Sequence, residues 1–256
     1  MPSSRIGPAG WLVAAIGCAI WPAAHVAEQS RAAPRQLVIV TLDTAAAPRT
    51  LPAHTSLFTG LAPKEHHVRG NADPALSPAQ VTLAQVLRSC GWLTGAFVGS
   101  AVLAATRGLA SGFDVYDDGR LAEAPLPASR PGSVVIDRAL EWMNGAGDRP
   151  FFLWVNLSDA QADAPLARLI RALDGRRTRD AVVIVASDQR KLPDELLVPV
   201  SIRAPRVTAQ RVDGVVSVID LGSTALDLLQ MPSSLGAGRS FAPAMREHRS
   251  IATTRR

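Results

Sequence analysis

The chain has 256 residues, of which 47% are hydrophobic and 19% are charged. This length suits one well-buried α/β domain, and the composition excludes a disordered chain. The formal net charge of +5 comes almost wholly from arginine, since Lys64 and Lys191 are the only lysines. Because the arginines are scattered and aromatic residues make up only 5% of the chain, we expect no nucleic-acid-binding surface.

Residues 1–27 have the features of a signal peptide. Arg5 supplies a positive charge, residues 11–21 form an apolar run too short to span a membrane comfortably, and small residues lead to Ala27. Residues 15–18 also resemble a bacterial lipoprotein cleavage site, so cleavage near Ala27 and lipid attachment at Cys18 both fit. We therefore expect an exported protein of the periplasm or cell envelope, which contacts a membrane only if Cys18 carries a lipid anchor.

Hydrophobic patterning predicts that strands and helices alternate along the rest of the chain. Buried strands are predicted at residues 36–43, 94–98, 151–157, 181–186 and 198–202, and helices at 50–60, 80–90, 134–143, 166–173 and 220–230. Such alternation indicates an α/β fold with a mostly parallel, doubly wound sheet and helices on both faces. The domain is expected to span residues 36–243 and to be followed by a mobile basic tail at 244–256.

Several single residues have predicted structural roles. Thr50 and Asp220 are expected to cap the N-termini of their helices, and Gly60 to end the helix that Thr50 begins. Cys90 is expected in the core because it follows Leu87 at helical spacing.

Polar residues follow the predicted strands where a ligand would be expected. Asp43 ends the first strand, residues 156–159 end the strand at 151–157, and Asp188 and Gln189 follow the strand at 181–186. Ligands of open α/β sheets bind beyond the carboxyl ends of the strands. Hard cations choose oxygen ligands, and helix N-termini such as that at Thr50 attract anions. The pattern predicts a site that handles a phosphate or sulfate ester.

A family resemblance is carried by the same residues. Thr50-x-Pro52-x-His54, followed by Leu57-x-Thr59-Gly60, resembles the nucleophile helix of the sulfatases and their alkaline-phosphatase-superfamily relatives. Upstream, residues 40–44 resemble that family's first metal-binding strand. Further segments similar to one bacterial branch continue the match in the same order, at residues 60–71, 96–99, 112–118, 150–155, 185–188, 198–205 and 238–240.

The resemblance implies an alkaline-phosphatase-like fold that hydrolyses sulfuric or phosphoric esters. It places Thr50 at the nucleophile position and Asp43 and Asp188 at metal-ligand positions, with His54 assisting and Gln189 able to offer an amide oxygen. It also implies one divalent cation, with calcium the expected ion, and a small anionic ester or oxyanion as the ligand.

The chain departs from the family pattern at several site positions. Thr50 replaces the Cys or Ser that sulfatases convert to formylglycine, and His54 replaces an arginine, so formylglycine is not expected. Gln189 stands where the family has His or Asn, and Asn156 and Gln161 stand where the branch carries histidines. The loops that face the site are also shorter than those of the relatives.

These departures predict a shortened, divergent sulfatase with an eroded active site, whose residual activity is in question. The alternative is a non-catalytic envelope protein of the same fold that binds an anion, and a third reading is a damaged product that folds poorly. Simple structural roles remain open for each residue: a helix cap for Thr50, strand ends for Asp43 and Asp188, and a surface position for His54. The pair His66 and His67 is predicted to be structural.

Overall fold

The computed structural model describes residues 33–43, 49–158, 162–174, 181–187, 200–205, 207, 216–231 and 235–247, which are built around a six-stranded sheet. The strands are β1 (Gln36–Leu42), β2 (Leu93–Val98), β3 (Val115–Asp117), β4 (Phe151–Leu157), β5 (Ala181–Ser187) and β6 (Val200–Arg203). Their order across the sheet is β3-β2-β4-β1-β5-β6. All neighbours are parallel except β6, which is antiparallel to β5. The predicted mostly parallel α/β sheet is confirmed.

The three central strands end at the same level. Leu42 of β1 lies beside Leu157 of β4 and beside Ser187 of β5. The residue that follows each strand therefore enters the same edge of the sheet, where ligands of such folds collect. This register positions the candidate site.

Helices cover both faces of the sheet, as predicted. They are α1 (Thr50–Thr59), α2 (Pro63–His66), α3 (Leu83–Ser89), α4 (Gly132–Ala146), α5 (Asp163–Asp174), α6 (Val218–Leu228) and α7 (Ala242–Arg246). Side chains of α1, α3, α6 and α7 share one hydrophobic cluster with one face of the sheet. Side chains of α4 and α5 share a second cluster with the other face.

Burial on both faces of the sheet explains the apolar sequence of β1. Leu37 and Ile39 of β1 pack in the cluster of α1, while Val38 and Val40 pack in the cluster of α4. Because successive side chains of a strand point to opposite faces, a strand covered on both sides needs an unbroken apolar run.

Several local predictions require correction. Arg49, not Thr50, is the N-cap of α1, so Thr50 is the first helical residue. Ser217 precedes α6, and Asp220 lies inside its first turn, where its Oδ1 accepts the Arg239 N–H at 2.8 Å. Cys90 is exposed rather than in the core, because α3 ends at Ser89 and the helical spacing does not continue to it.

The predicted tail overlaps α7. Met245 of α7 is buried, and Arg246 bonds the side chain and the carbonyl of Asp227 at 3.0 Å. Residues 244–247 are thus packed onto the domain, and residues 248–256 lie outside the described residues.

The predicted signal at residues 1–27 also lies outside the described residues. Within the described ranges, no helix combines the length and the apolar character that crossing a membrane requires.

Candidate functional site

Asp43 enters the site directly from the end of β1. Its backbone N–H donates to the Leu157 carbonyl at 3.1 Å, which continues the pairing of β1 with β4 by one residue. Its side chain is only 2% exposed. Such a buried carboxylate requires hydrogen-bond donors or a cation around it.

Asn156 of β4 supplies a donor to this carboxylate. Its Nδ2 lies 2.6 Å from Asp43 Oδ1 and 3.2 Å from Thr41 Oγ1, and its Oδ1 accepts the Gly99 N–H at 3.2 Å. Thr41 Oγ1 also accepts the Trp154 Nε1–H at 3.1 Å. Because Gly99 takes the amide oxygen of Asn156, the amide presents its N–H groups to Asp43. Asp43 therefore belongs to a buried network of neutral donors.

The N-terminus of α1 is partly capped from a distant loop. Asn71 Oδ1 accepts the Leu51 N–H at 3.0 Å, while Pro52 has no N–H to offer. Arg107 Nη2 holds this loop by donating to the carbonyls of Asn71 and Asp73.

His54 is buried one turn after Thr50. Its Nδ1 lies 2.7 Å from the Thr50 carbonyl, which can only accept, so Nδ1 carries the proton and Nε2 carries the lone pair. Burial lowers the His54 pKa from 6.5 to about 4, so the ring is neutral near pH 7. Nε2 is buried and has no hydrogen-bond partner among the described residues. The ring also lies 5.5 Å from that of Trp154, measured between centroids.

A small apolar cavity lies beside this histidine. It measures about 30 Å³ and is lined by residues of β1, α1, β5 and α6, namely Thr41, Leu42, Ala53, His54, Leu57, Ala186, Ser187 and Val218. A space of this size admits a water molecule or one hydroxyl group. It does not admit a whole sugar ester, since small-molecule sites usually measure about 300–1,000 Å³.

Ser158 adds a second buried polar group at this edge. It follows the end of β4, is 1% exposed, and its hydroxyl has no hydrogen-bond partner among the described residues. A buried polar atom that lacks a partner in the fold suggests a bound water or a ligand.

The structure describes only one of the three predicted metal ligands. Asp43 is described, whereas Asp188 and Gln189 lie outside the described residues, so their convergence with Asp43 stays a prediction. In the described part of the chain, no three His, Cys, Asp or Glu side chains group as an ion would require. Asn156 turns an N–H, not an oxygen, toward Asp43. The described residues alone therefore do not fit a divalent cation at Asp43.

His66 has the structural role that the sequence predicts. Its Nδ1 accepts the Val68 N–H at 3.1 Å, so Nε2 carries the proton and donates to Ser56 Oγ at 3.0 Å. Burial is the main reason that its pKa falls from 6.5 to about 4. Both ring nitrogens are thus engaged within the fold.

Sequence reasoning missed Thr41, Asn71 and Arg107. The hydroxyl of Thr41 could have been noticed as a polar group near the end of an apolar strand. Asn71 and Arg107 carry no such signal, because their contacts with Leu51 and with the loop depend on folding across 20 and 36 residues of sequence.

Comparisons with known proteins place the fold. No sequence-family profile and no curated protein sequence matches the chain. Among solved structures, the chain is similar to a protein in complex with its substrate D-glucosamine-2-N,6-O-disulfate, with a TM-score of 0.70 and 11% identity over 88% of this chain and 82% of the other. It is also similar to the phosphonate monoester hydrolase of Agrobacterium radiobacter, with a TM-score of 0.63 and 14% identity over 84% of this chain and 77% of the other. For the putative sulfatase yidJ from Bacteroides fragilis the TM-score is 0.64 and the identity 14%, over 86% of this chain and 79% of the other.

The similarity covers most of each chain, while the identity is low. The likeness to sulfatases that the motifs predict is therefore confirmed at the level of the fold. The chain carries, in divergent form, the alkaline-phosphatase-like fold of the sulfatases.

Proposed function

We propose that this protein binds a small oxyanion or anionic ester at the carboxyl edge of its sheet, with hydrolysis reduced to a low rate or lost. The observation that carries the proposal is the bond of 2.6 Å between Asn156 Nδ2 and Asp43 Oδ1. The amide N–H that holds this carboxylate oxygen competes with a cation for it, so a metal ion that would activate a hydroxyl nucleophile is held less tightly.

The proposed ligand class is supported by the fold and by the start of α1. One neighbour has a disulfated glucosamine as its substrate, and another is a phosphonate monoester hydrolase. Thr50 begins a helix, where the helix dipole favours an anion, although Asn71 already takes the Leu51 N–H. These features support a tetrahedral oxyanion near Thr50.

Slow hydrolysis is the second candidate, because Thr50 and His54 lie one helical turn apart on α1 and are joined by a hydrogen bond. In that case Thr50 would attack the ester and His54 would assist. Asp43, Asp188 and Gln189 would hold a cation, with calcium the expected ion. Each missing electrostatic donor typically lowers the rate by about two to three orders of magnitude, so we expect little turnover.

Export to the periplasm or cell envelope is part of the proposal. It rests on the charge and the apolar run of residues 1–27, with a lipid at Cys18 as the alternative to simple cleavage. Mass determination of the mature N-terminus in a bacterial host distinguishes these two outcomes.

One experiment separates the two functions. The purified protein is analysed for metal and assayed with aryl phosphate and aryl sulfate, with and without calcium, beside the variant Thr50→Ala. If the protein only binds, the wild type and Thr50→Ala show the same background turnover, and phosphate or sulfate raises the melting temperature of the wild type. Metal-dependent turnover that disappears in Thr50→Ala would establish the hydrolase instead.

A further inference from the structure

His54 is the feature that the binding proposal leaves unexplained. It is 5% exposed, and a buried polar atom without a partner costs stability. The same position could hold an apolar side chain of similar size at no such cost. A group that the fold keeps in this state is a candidate for contact with a ligand.

The hydrogen bond of His54 fixes what this contact can be. Because Nδ1–H donates to the Thr50 carbonyl, the group of the neutral ring that is left for a ligand is the Nε2 lone pair. A lone pair attracts an O–H group and repels an oxygen atom that carries no hydrogen. The ring therefore distinguishes ligands by whether they carry a proton.

The surroundings of His54 sharpen this distinction. The adjoining cavity of about 30 Å³ has room for one hydroxyl. Most of its other lining side chains are apolar, among them Ala53, Leu57 and Val218, while Thr41 and Ser187 carry hydroxyls. The apolar side chains offer no donor that could soften the repulsion between Nε2 and a bare oxygen. In an apolar setting an unpaired polar contact is felt more strongly than in water.

We propose that His54 makes this site selective for an oxyanion that carries its own O–H group, such as hydrogen phosphate, over sulfate. The selectivity arises because the Nδ1 bond to Thr50 leaves the ring only an acceptor at Nε2, and the ring lines the small cavity between α1 and the ends of β1 and β5. Near neutral pH, inorganic phosphate keeps at least one proton on oxygen, whereas sulfate keeps none. This inference rests on the proposed oxyanion site and names its ligand class.

Calorimetric titration of the purified full chain with sodium phosphate and with sodium sulfate, at pH 7 and equal ionic strength, tests the proposal. Phosphate is expected to bind at least about tenfold more tightly than sulfate, as one hydrogen bond to a buried group allows. In His54→Leu the ratio of the two affinities should fall to within about twofold. His67→Gln, which changes an exposed histidine directly after α2, should keep the wild-type ratio.

The outcomes are distinguishable. Equal affinities in the wild type, or a preference that survives in His54→Leu, overturns the selectivity while leaving the proposed oxyanion site intact. Binding of neither anion overturns both proposals. His54→Phe provides a second apolar replacement if His54→Leu does not unfold cooperatively, and the affinity ratio is then read from that variant.

Discussion

His54 and His66 are two buried histidines on neighbouring helices whose environments differ. Burial lowers the pKa of both from 6.5 to about 4, yet their tautomers are opposite. His66 uses both ring nitrogens within the fold, through Val68 and Ser56. His54 uses one, and its Nε2 has no partner among the described residues. The two histidines are similarly buried, yet His66 has a structural role and His54 is a candidate for contact with a ligand.

Acid should act on both histidines together and give the largest effect. Since their pKa values are lower in the folded than in the unfolded chain, the unfolded chain binds protons first as the pH falls below 6.5. Stability should be full above pH 6.5, decline toward pH 4 by about 3–6 kcal/mol in total, and then level off with respect to these groups. Urea unfolding between pH 4 and 8 measures this decline. A wild-type profile as flat as that of the double variant His54→Leu/His66→Leu would contradict it.

His66→Leu should be the most harmful single substitution of the pair. It leaves the Val68 N–H and the Ser56 hydroxyl without the ring, which should cost about 2–4 kcal/mol. The urea midpoint measures the loss, and the exposed His67→Gln serves as the matched control with a change within about 0.5 kcal/mol. A loss as small as that of the control would show that His66 is not needed for packing.

Asn71→Ala should loosen the first turn of α1 while both histidine side chains stay present. Loss of its bond to the Leu51 N–H should cost about 1 kcal/mol, and water reaching the ring should raise the His54 pKa toward its ordinary value. Thr82→Ala removes the corresponding cap of α3, where Thr82 Oγ1 accepts the Gln85 N–H at 3.2 Å. Because Thr82 Oγ1 also donates to the Ser111 carbonyl at 2.8 Å, this variant should lose at least as much stability, with no change at His54. Urea unfolding and an NMR titration of the rings separate the two variants.

His54→Leu should have the smallest effect on stability. The substitution removes the bond to the Thr50 carbonyl but also removes a buried nitrogen without a partner in the described fold, so the net change should lie within about 1 kcal/mol of zero. A thermal melt near pH 7 checks this. A loss above about 2 kcal/mol would mean that His54, like His66, is held by the fold through both nitrogens.

Strands were more predictable than the contacts between them. The apolar runs of β1, β4 and β5 identify strands that are covered on both faces, and the prediction places β4 at the bounds that the structure has. β3 was missed because it is only three residues long and pairs with β2 alone. Repeating patterns such as these are visible in a single sequence because they are local.

The candidate site was predictable only at its strand and helix ends. Asp43 and Thr50 could be placed because each follows or opens an element that has a clear pattern. Asn156 was noticed only as a departure from the family, and its bond to Asp43 joins residues 113 positions apart. The tautomer of His54 depends on one hydrogen bond. No propensity or spacing encodes contacts of this kind.

The alternation of side chains along β1 has a consequence for how this site can evolve. Leu37, Ile39, Thr41 and Asp43 are two residues apart in succession, and the first two pack toward α1. Deleting or inserting one residue within the strand would turn the members of this series on one side of the change toward α4 and α5. The carboxylate of Asp43 could therefore not move by one position along the chain and still point to the same face of the sheet. New ligand preferences in descendants of this protein should therefore arise from changes in the connecting segments, while the number of residues in β1, and so the face to which each side chain points, is kept.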